Sequence, residues 1–381
     1  MPSLKLHSRH FKLDRFPPLP VNPQAQLLAS LEQVITLVTK KSQPPPPHSG
    51  LYSGPIGIAY LLHLVHQHHP SLTVHSRPLS HWISVLLAHP PGPPHPTRQG
   101  IASSPTTHLT ISAIVNNSLT TARSALSALS AAAEPNPDVP NEWLYGRAGS
   151  LYLLRLLRHH FPPLTPSINE TITVIANIIL HAPRPWTWHG KHYLGAAHGD
   201  VGIITQLILS VPSLAQRLEP DLNAVLDAQL PSGNWPSSVA VPSSSSSSQS
   251  DKLVQFCHGA SGIIPSLRSI LPHASATITP RITAAIQRGE ACVLERGLLR
   301  KQPGLCHGIT GNALALRDAA FKQFLTLTTE DWVREGLRQE LWSEMGQREG
   351  LSLMEGAAGR AWGWLVISGG RERRMVGYND V

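Results

Sequence analysis

The apolar positions of this chain fall in short blocks with helical spacing, and the same small motif precedes block after block. Gly-x-x-Gly followed by an apolar stretch occurs as SGPIGIAYLL (Gly54, Gly57), YGRAGSLYLL (Gly146, Gly149) and HGDVGIITQL (Gly199, Gly202). It returns as HGASGIIPSL (Gly259, Gly262), HGITGNALAL (Gly308, Gly311) and EGAAGRAWGW (Gly356, Gly359). One such motif carries no information, whereas six in one context define an internal repeat. The first glycines are 92, 53, 60, 49 and 48 residues apart. The first interval therefore holds nearly two units, which predicts a seventh, degenerate copy over residues 106–129.

Between the motifs, residues 25–38, 80–88, 168–179, 214–226, 278–294 and 332–342 have the apolar periodicity of amphipathic helices. Strand alternation is weak throughout. Each unit then reads as a helix, a connection, a second helix and a return loop. No such unit buries its own apolar face, so the units must stack or close on one another. The expectation is an all-α fold, an α/α toroid of about seven inner and seven outer helices, forming one domain over residues 1–381. An open solenoid is the competing architecture, but it would not bring the motif loops to one centre. The paired glycines are expected to let inner helices approach closely and to leave N–H groups free at the helix starts. Pro- and Ser-rich stretches at 43–48, 89–97 and 241–251 read as surface insertions.

Composition narrows the function classes. Hydrophobic residues make up 41% of the 381, ordinary for a globular protein, while charged residues are scarce at 14% and the net charge is +8. The only compact basic clusters are Lys40-Lys41 and residues 371–374, and neither is interleaved with aromatics. This disfavours nucleic acid and leaves a small anionic ligand, or a peripheral membrane contact, compatible with the charge. Three cysteines, Cys257, Cys292 and Cys306, point to a reducing compartment rather than a disulfide framework. No apolar run reaches the ~18 residues of a membrane span, and the N-terminus lacks a signal-peptide core. A cytoplasmic monomer is the default expectation.

The residues just before each motif are expected to meet at one end of the barrel. They are Tyr52-Ser53, Leu144-Tyr145, Ala197-His198, Cys257-His258, Cys306-His307 and Met354-Glu355. Two of the six pairs are Cys-His. Thiolates with an imidazole suit zinc, and a set of Cys257, Cys306 and His307 leaves a fourth position open, as catalytic zinc sites do. His258 shares the phase of His307, although a site with two cysteines needs only one histidine. His198 is the candidate acid/base group, with a core or ligand role as the competing readings. Cys292 falls outside every motif and reads as core. Arg147 reads as a packing residue.

The motifs GLYSGPIGIAYLL, EWLYGRAGSLYLL, YLGAAHGDVGI, SGNWPSS, LVQFCHGASGII, GLCHGITGNALAL and SLMEGAAGRAW occur in this order between residues 50 and 362. Together they resemble the lanthionine synthetase C-like family, its eukaryotic members more than the bacterial cyclases. The resemblance implies a double α/α barrel with one zinc on Cys257, Cys306 and His307. It implies an acid/base role for His198 of the AAHG motif and an acidic companion in Glu142 of EWLYG, where bacterial relatives carry Asp. The activity implied is addition of a zinc-activated thiol, glutathione in eukaryotic relatives, to dehydroalanine or dehydrobutyrine in peptides or proteins. Arg300 and Lys301 match a basic place suited to the carboxylates of glutathione. An Arg-aromatic segment near the N-terminus, Arg9-His10-Phe11 or Arg15-Phe16, is expected to reach the site. Two other readings stand beside this one. The first is a zinc- and glutathione-binding signalling or scaffold protein. The second is a carbohydrate-active toroid, which needs two carboxylates facing a groove and has only Glu142 and Glu355 at motif positions.

Overall fold

The computed structural model describes residues 4–40, 50–88, 91–239, 250–339, 341–342, 352–369 and 371–381. The insertion expected at 43–48 lies outside the described residues, as does Lys41 and all of 241–251 except its last two positions. Of the insertion at 89–97, the described part is half-buried to exposed and is pinned by a bridge between His95 and Arg98.

The chain opens with an antiparallel ribbon of β1 (Leu4–Leu6) and β2 (Phe11–Leu13). The helices follow in order: α1 (Pro23–Lys40), α2 (Gly50–Ser53), α3 (Pro55–His68), α4 (Leu79–Leu87), α5 (Ser104–Val115), α6 (Leu119–Leu129), α7 (Arg147–His160) and α8 (Thr165–His181). Then come α9 (Asp200–Ser210), α10 (Glu219–Asp227), α11 (Ala260–Ile270), α12 (Thr279–Arg296), α13 (Ile309–Leu314), α14 (Asp318–Thr326), α15 (Glu330–Arg338) and α16 (Ala357–Ile367). Two small ribbons complete the described strands: β3 (Thr73–Val74) with β4 (Arg77–Pro78), and β5 (His192–Tyr193) with β6 (Ser238–Val239).

Among the described residues, seven helices form the inner ring. α3, α5, α7, α9, α11, α13 and α16 pack each on the next, and α16 returns to α3. The outer layer pairs α4 with α3, α6 with α5, α8 with α7, α10 with α9, α12 with α11 and α14 with α13. α1 covers α16, so the first long helix of the chain closes the last pair. This is the expected all-α toroid. These inner helices are buried around nearly their whole circumference, and α7 buries Arg147 and Arg155 along with its apolar residues.

The degenerate repeat is α5 and α6. Ser103 caps α5 where a first glycine caps each other inner helix, which divides the interval of 92 into 49 and 43. The second glycine has a role different from the one expected. A Cβ there would strike the carbonyl oxygen of the residue six positions earlier: 1.7 Å from Leu305 for Gly311 and 1.9 Å from Phe256 for Gly262. The loop folds back on the first turn of its own helix. It is this return, more than the approach of a neighbouring helix, that excludes a side chain.

Two helix boundaries also depart from expectation. The helix expected over 332–342 ends at Arg338. Instead of one helix over 214–226, a 3-10 turn at Pro212–Leu214 precedes α10. Pro220 falls in the first turn of α10, where a missing N–H costs nothing.

The inner ring is not hollow. Residues 375–381 run into it, with Met375, Val376 and Tyr378 fully buried. Trp143 Nε1 donates to the Gly377 carbonyl (3.1 Å), and the Tyr378 hydroxyl meets Ser266 Oγ (2.7 Å). Arg155 donates to the Val381 carbonyl (2.6 Å) and Tyr60 to Asp380 (3.2 Å). Burial pushes Arg155 down to about 10, which leaves it a cation at neutral pH. Among the described residues, no helix is long and apolar enough to cross a membrane.

Candidate metal centre

The loops that precede the inner helices are tied to one another by backbone hydrogen bonds, neighbour to neighbour. Cys257 donates to Cys306 (3.3 Å), Cys306 to Met354 (2.7 Å) and Met354 to Tyr52 (3.1 Å). The series continues through Leu51 to Ile101 (2.8 Å), Ala102 to Leu144 (2.9 Å) and Trp143 to Ala197 (3.2 Å). Gly195 then lies flat against Cys257, whose carbonyl oxygen would be 2.3 Å from a Cβ at that position. Residues far apart in sequence are thereby held on one rim.

On that rim Cys257, Cys306 and His307 offer one ligand atom each, all within 4.8 Å of one another. Both thiols are buried and His307 is half-buried. Among the described residues, no other group of His, Cys, Asp and Glu is so arranged. The sulfur atoms also receive hydrogen bonds, from the Tyr52 hydroxyl to Cys306 (2.9 Å) and from Gln255 Nε2 to Cys257 (3.0 Å). Donors aimed at sulfur favour a thiolate. The hydrogen bond with Cys306, aided by His307, holds Cys257 well below the ordinary thiol range. The same bond raises Cys306. Soft, partly deprotonated donors converging on one point suit a borderline-soft divalent cation. His258, which shares the phase of His307, turns elsewhere: its ring lies 5.5 Å from Tyr193 and 6.1 Å from His198.

His198 Nδ1 lies 2.7 Å from Glu142 Oε2. Glu142 is buried and also accepts the backbone N–H groups of Leu144 (2.9 Å) and Tyr145. Those bonds fix the carboxylate, and the carboxylate fixes the imidazole. Glu355, the other motif carboxylate, lies 3.1 Å from the same Tyr52 hydroxyl and competes with Cys306 for its single proton.

The basic candidates fall at different distances from the thiols. Lys301 Nζ donates to Gln255 Oε1 (3.3 Å), one residue removed from Cys257. Arg300 is held by the N-terminal ribbon: its N–H donates to the Arg9 carbonyl (2.9 Å) and its Nη1 to that of His7 (3.4 Å). The Arg9 backbone therefore lies beside that of Arg300. Arg15 is exposed and precedes Phe16, which stacks on Phe324 of α14 in the outer layer. Arg147 is buried and spends its guanidinium on the carbonyls of Ala132, Glu134, Asn136 and Val139. Cys292 is core, and burial raises it to about 11.

Three contributors were not legible beforehand. Tyr52 stands at a motif position, yet nothing marked its hydroxyl as a sulfur ligand. Gln255 lies two residues before Cys257. Trp188 lies in a loop outside the repeats, with its ring 4.0 Å from that of His198.

Comparison with known proteins places the chain in a family. The chain is 31% identical over 193 residues to glutathione S-transferase LANCL1 of Danio rerio, covering 46% of this chain and 45% of that protein. It is 26% identical over 260 residues to LanC-like protein GCL1 of Arabidopsis thaliana, covering 62% and 57%. The chain spans about half the length of the curated relatives it matches. Among solved structures, nisin cyclase has the same fold, with a TM-score of 0.61 at 14% identity over 91% of this chain and 95% of that one. The model of the lanthionine synthetase C-like protein family matches residues 100–377, and the chain belongs to that family.

Proposed function

We propose that this chain forms carbon–sulfur bonds, adding glutathione or a related thiol across the double bond of dehydroalanine or dehydrobutyrine in a peptide or protein. The observation that carries the reading is the placement of the Cys257–Cys306–His307 cluster and the His198–Glu142 pair on one rim. A nucleophilic sulfur and a proton donor are then served by the same mouth. The glutathione transferase name of one relative supports the choice of thiol.

Cys257, Cys306 and His307 would hold zinc, whose Lewis acidity keeps an incoming thiol deprotonated near neutral pH, where a free thiol is mostly protonated. The remaining work falls to side chains of the rim. Sulfur bonds to the β-carbon, the carbon–carbon π pair moves to the α-carbon, and that carbon takes a proton. His198 supplies it from Nε2, since Nδ1 is committed to Glu142. The proton lost by the thiol restores the balance, so the net change is addition of S–H across the double bond. Lys301 and Arg300 supply positive charge for the carboxylates of glutathione. One domain spanning the chain performs the whole reaction.

The test is mass spectrometry of a dehydroalanine peptide incubated with the full chain and glutathione at neutral pH. A glutathione-sized gain well above the rate without protein supports the reading. Zinc and glutathione bound with no gain would replace it with the binding-protein reading.

A further inference from the structure

His198 is held by more than Glu142. The Trp188 ring lies on it with centroids 4.0 Å apart and planes 8° from parallel. Tyr145 lies nearly parallel to both rings, 5.9 Å from Trp188 and 6.3 Å from His198. Trp188 belongs to none of the repeats. It stands at the base of a two-residue turn, where Trp188 N–H donates to the Lys191 carbonyl (2.9 Å) and Lys191 N–H donates back (3.0 Å). The central residues His189 and Gly190 have φ of 48° and 69°, the left-handed values that a type I′ turn requires. The turn is short, doubly bonded and followed at once by β5, so it presents the indole at a defined place.

We propose that Trp188 is a positioning residue for His198, an inference that rests on the function proposed above. The imidazole torsion of histidine is broad. One hydrogen bond at Nδ1 sets the direction of that edge but leaves the ring free to tilt about the bond. A face-on indole removes the tilt. Glu142 and Trp188 together fix the imidazole in two perpendicular senses, and Nε2 is left at one place for proton delivery to the α-carbon. Misplacing a reacting group by about 1 Å can cost on the order of 100-fold in rate.

Trp188→Ala is expected to lower kcat by roughly 10- to 100-fold. KM for the peptide and metal content should stay near wild type, and Trp188→Phe should recover most of the loss. In a His198→Asn background, Trp188→Ala should cost little more, because the group it positions is gone. A merely structural role would lower melting temperature and metal content, and would add to the His198 loss. An active wild type with unchanged kcat in Trp188→Ala would overturn the proposal. The stack has its own readout in the resting protein. Imidazole protons of His198, identified by their loss in His198→Asn, should be shifted upfield by the indole ring current and return to ordinary positions in Trp188→Ala. A wild type without that shift overturns the stack. A wild type that forms no adduct overturns the proposed function and leaves this magnetic test standing.

Discussion

Glu142 Oε2 receives Nδ1 of His198 at 2.7 Å while the same carboxylate caps the N–H groups of Leu144 and Tyr145. The carboxylate is thus a bracket between loop backbone and imidazole. His198→Asn is expected to lower the rate of adduct formation by about 100- to 10,000-fold, the usual worth of a general acid, with metal content unchanged. Glu142→Gln should cost less, about 10- to 100-fold, since it loosens the imidazole without removing it. Steady-state rates with parallel metal analysis check both.

The Tyr52 hydroxyl and the Gln255 amide each donate to a cysteine sulfur. Outer partners of this kind orient ligands and stabilise their charged form. Tyr52→Phe and Gln255→Ala are each expected to weaken zinc binding by about 10- to 100-fold, measured by competition with a chromogenic chelator. Affinity equal to wild type in both would mean that the two bonds do not support the metal site.

Gly311 has the tightest contact of the motif glycines, with a Cβ falling 1.7 Å from the Leu305 carbonyl oxygen. That oxygen belongs to the loop carrying Cys306. Gly311→Ala is expected to cost on the order of 3 kcal/mol by chemical denaturation and to reduce metal occupancy with it. Gly190→Ala is the comparison: its φ is 69° but nothing lies within 4 Å, so about 1 kcal/mol is expected.

The repeat made the cysteine and histidine cluster legible and left its neighbours obscure. Cys257 and Cys306 occupy one phase of the motif and His307 the next, and a ring that repeats the motif brings equal phases together. Trp188 and Tyr378 have no phase. Trp188 reaches His198 from a turn between repeats, and Tyr378 reaches the ring interior from the chain's last residues, so neither place follows from periodicity. Tyr52 was in phase, but a hydroxyl directed at sulfur depends on an angle that no spacing encodes. The helix boundary at α10 failed for a simpler reason. Apolar positions at 214, 218, 222, 225 and 226 continue across a 3-10 turn and a proline as though the helix were unbroken.

Acid should destabilise the protein through its histidines. Burial, helped by the charges of His159, His63 and Arg371, pushes His160 down to about 4 from an ordinary 6.5. Burial lowers His63 in the same direction. Between those two values the unfolded chain binds a proton that the folded chain refuses, so stability rises with pH across the window and falls as pH drops through it. The melting temperature is expected to be higher at pH 7 than at pH 5, and His160→Gln should flatten that slope. An unchanged slope in the variant would assign the acid sensitivity to other groups.

The most direct test of the account is the metal content of the full chain purified in zinc-containing medium, compared with Cys306→Ala, alongside adduct formation by the same two samples. One equivalent of zinc and a glutathione-sized adduct are expected for the wild type, with both lost in the variant. Zinc retained by Cys306→Ala, or adduct formed by a wild type free of zinc, would contradict it.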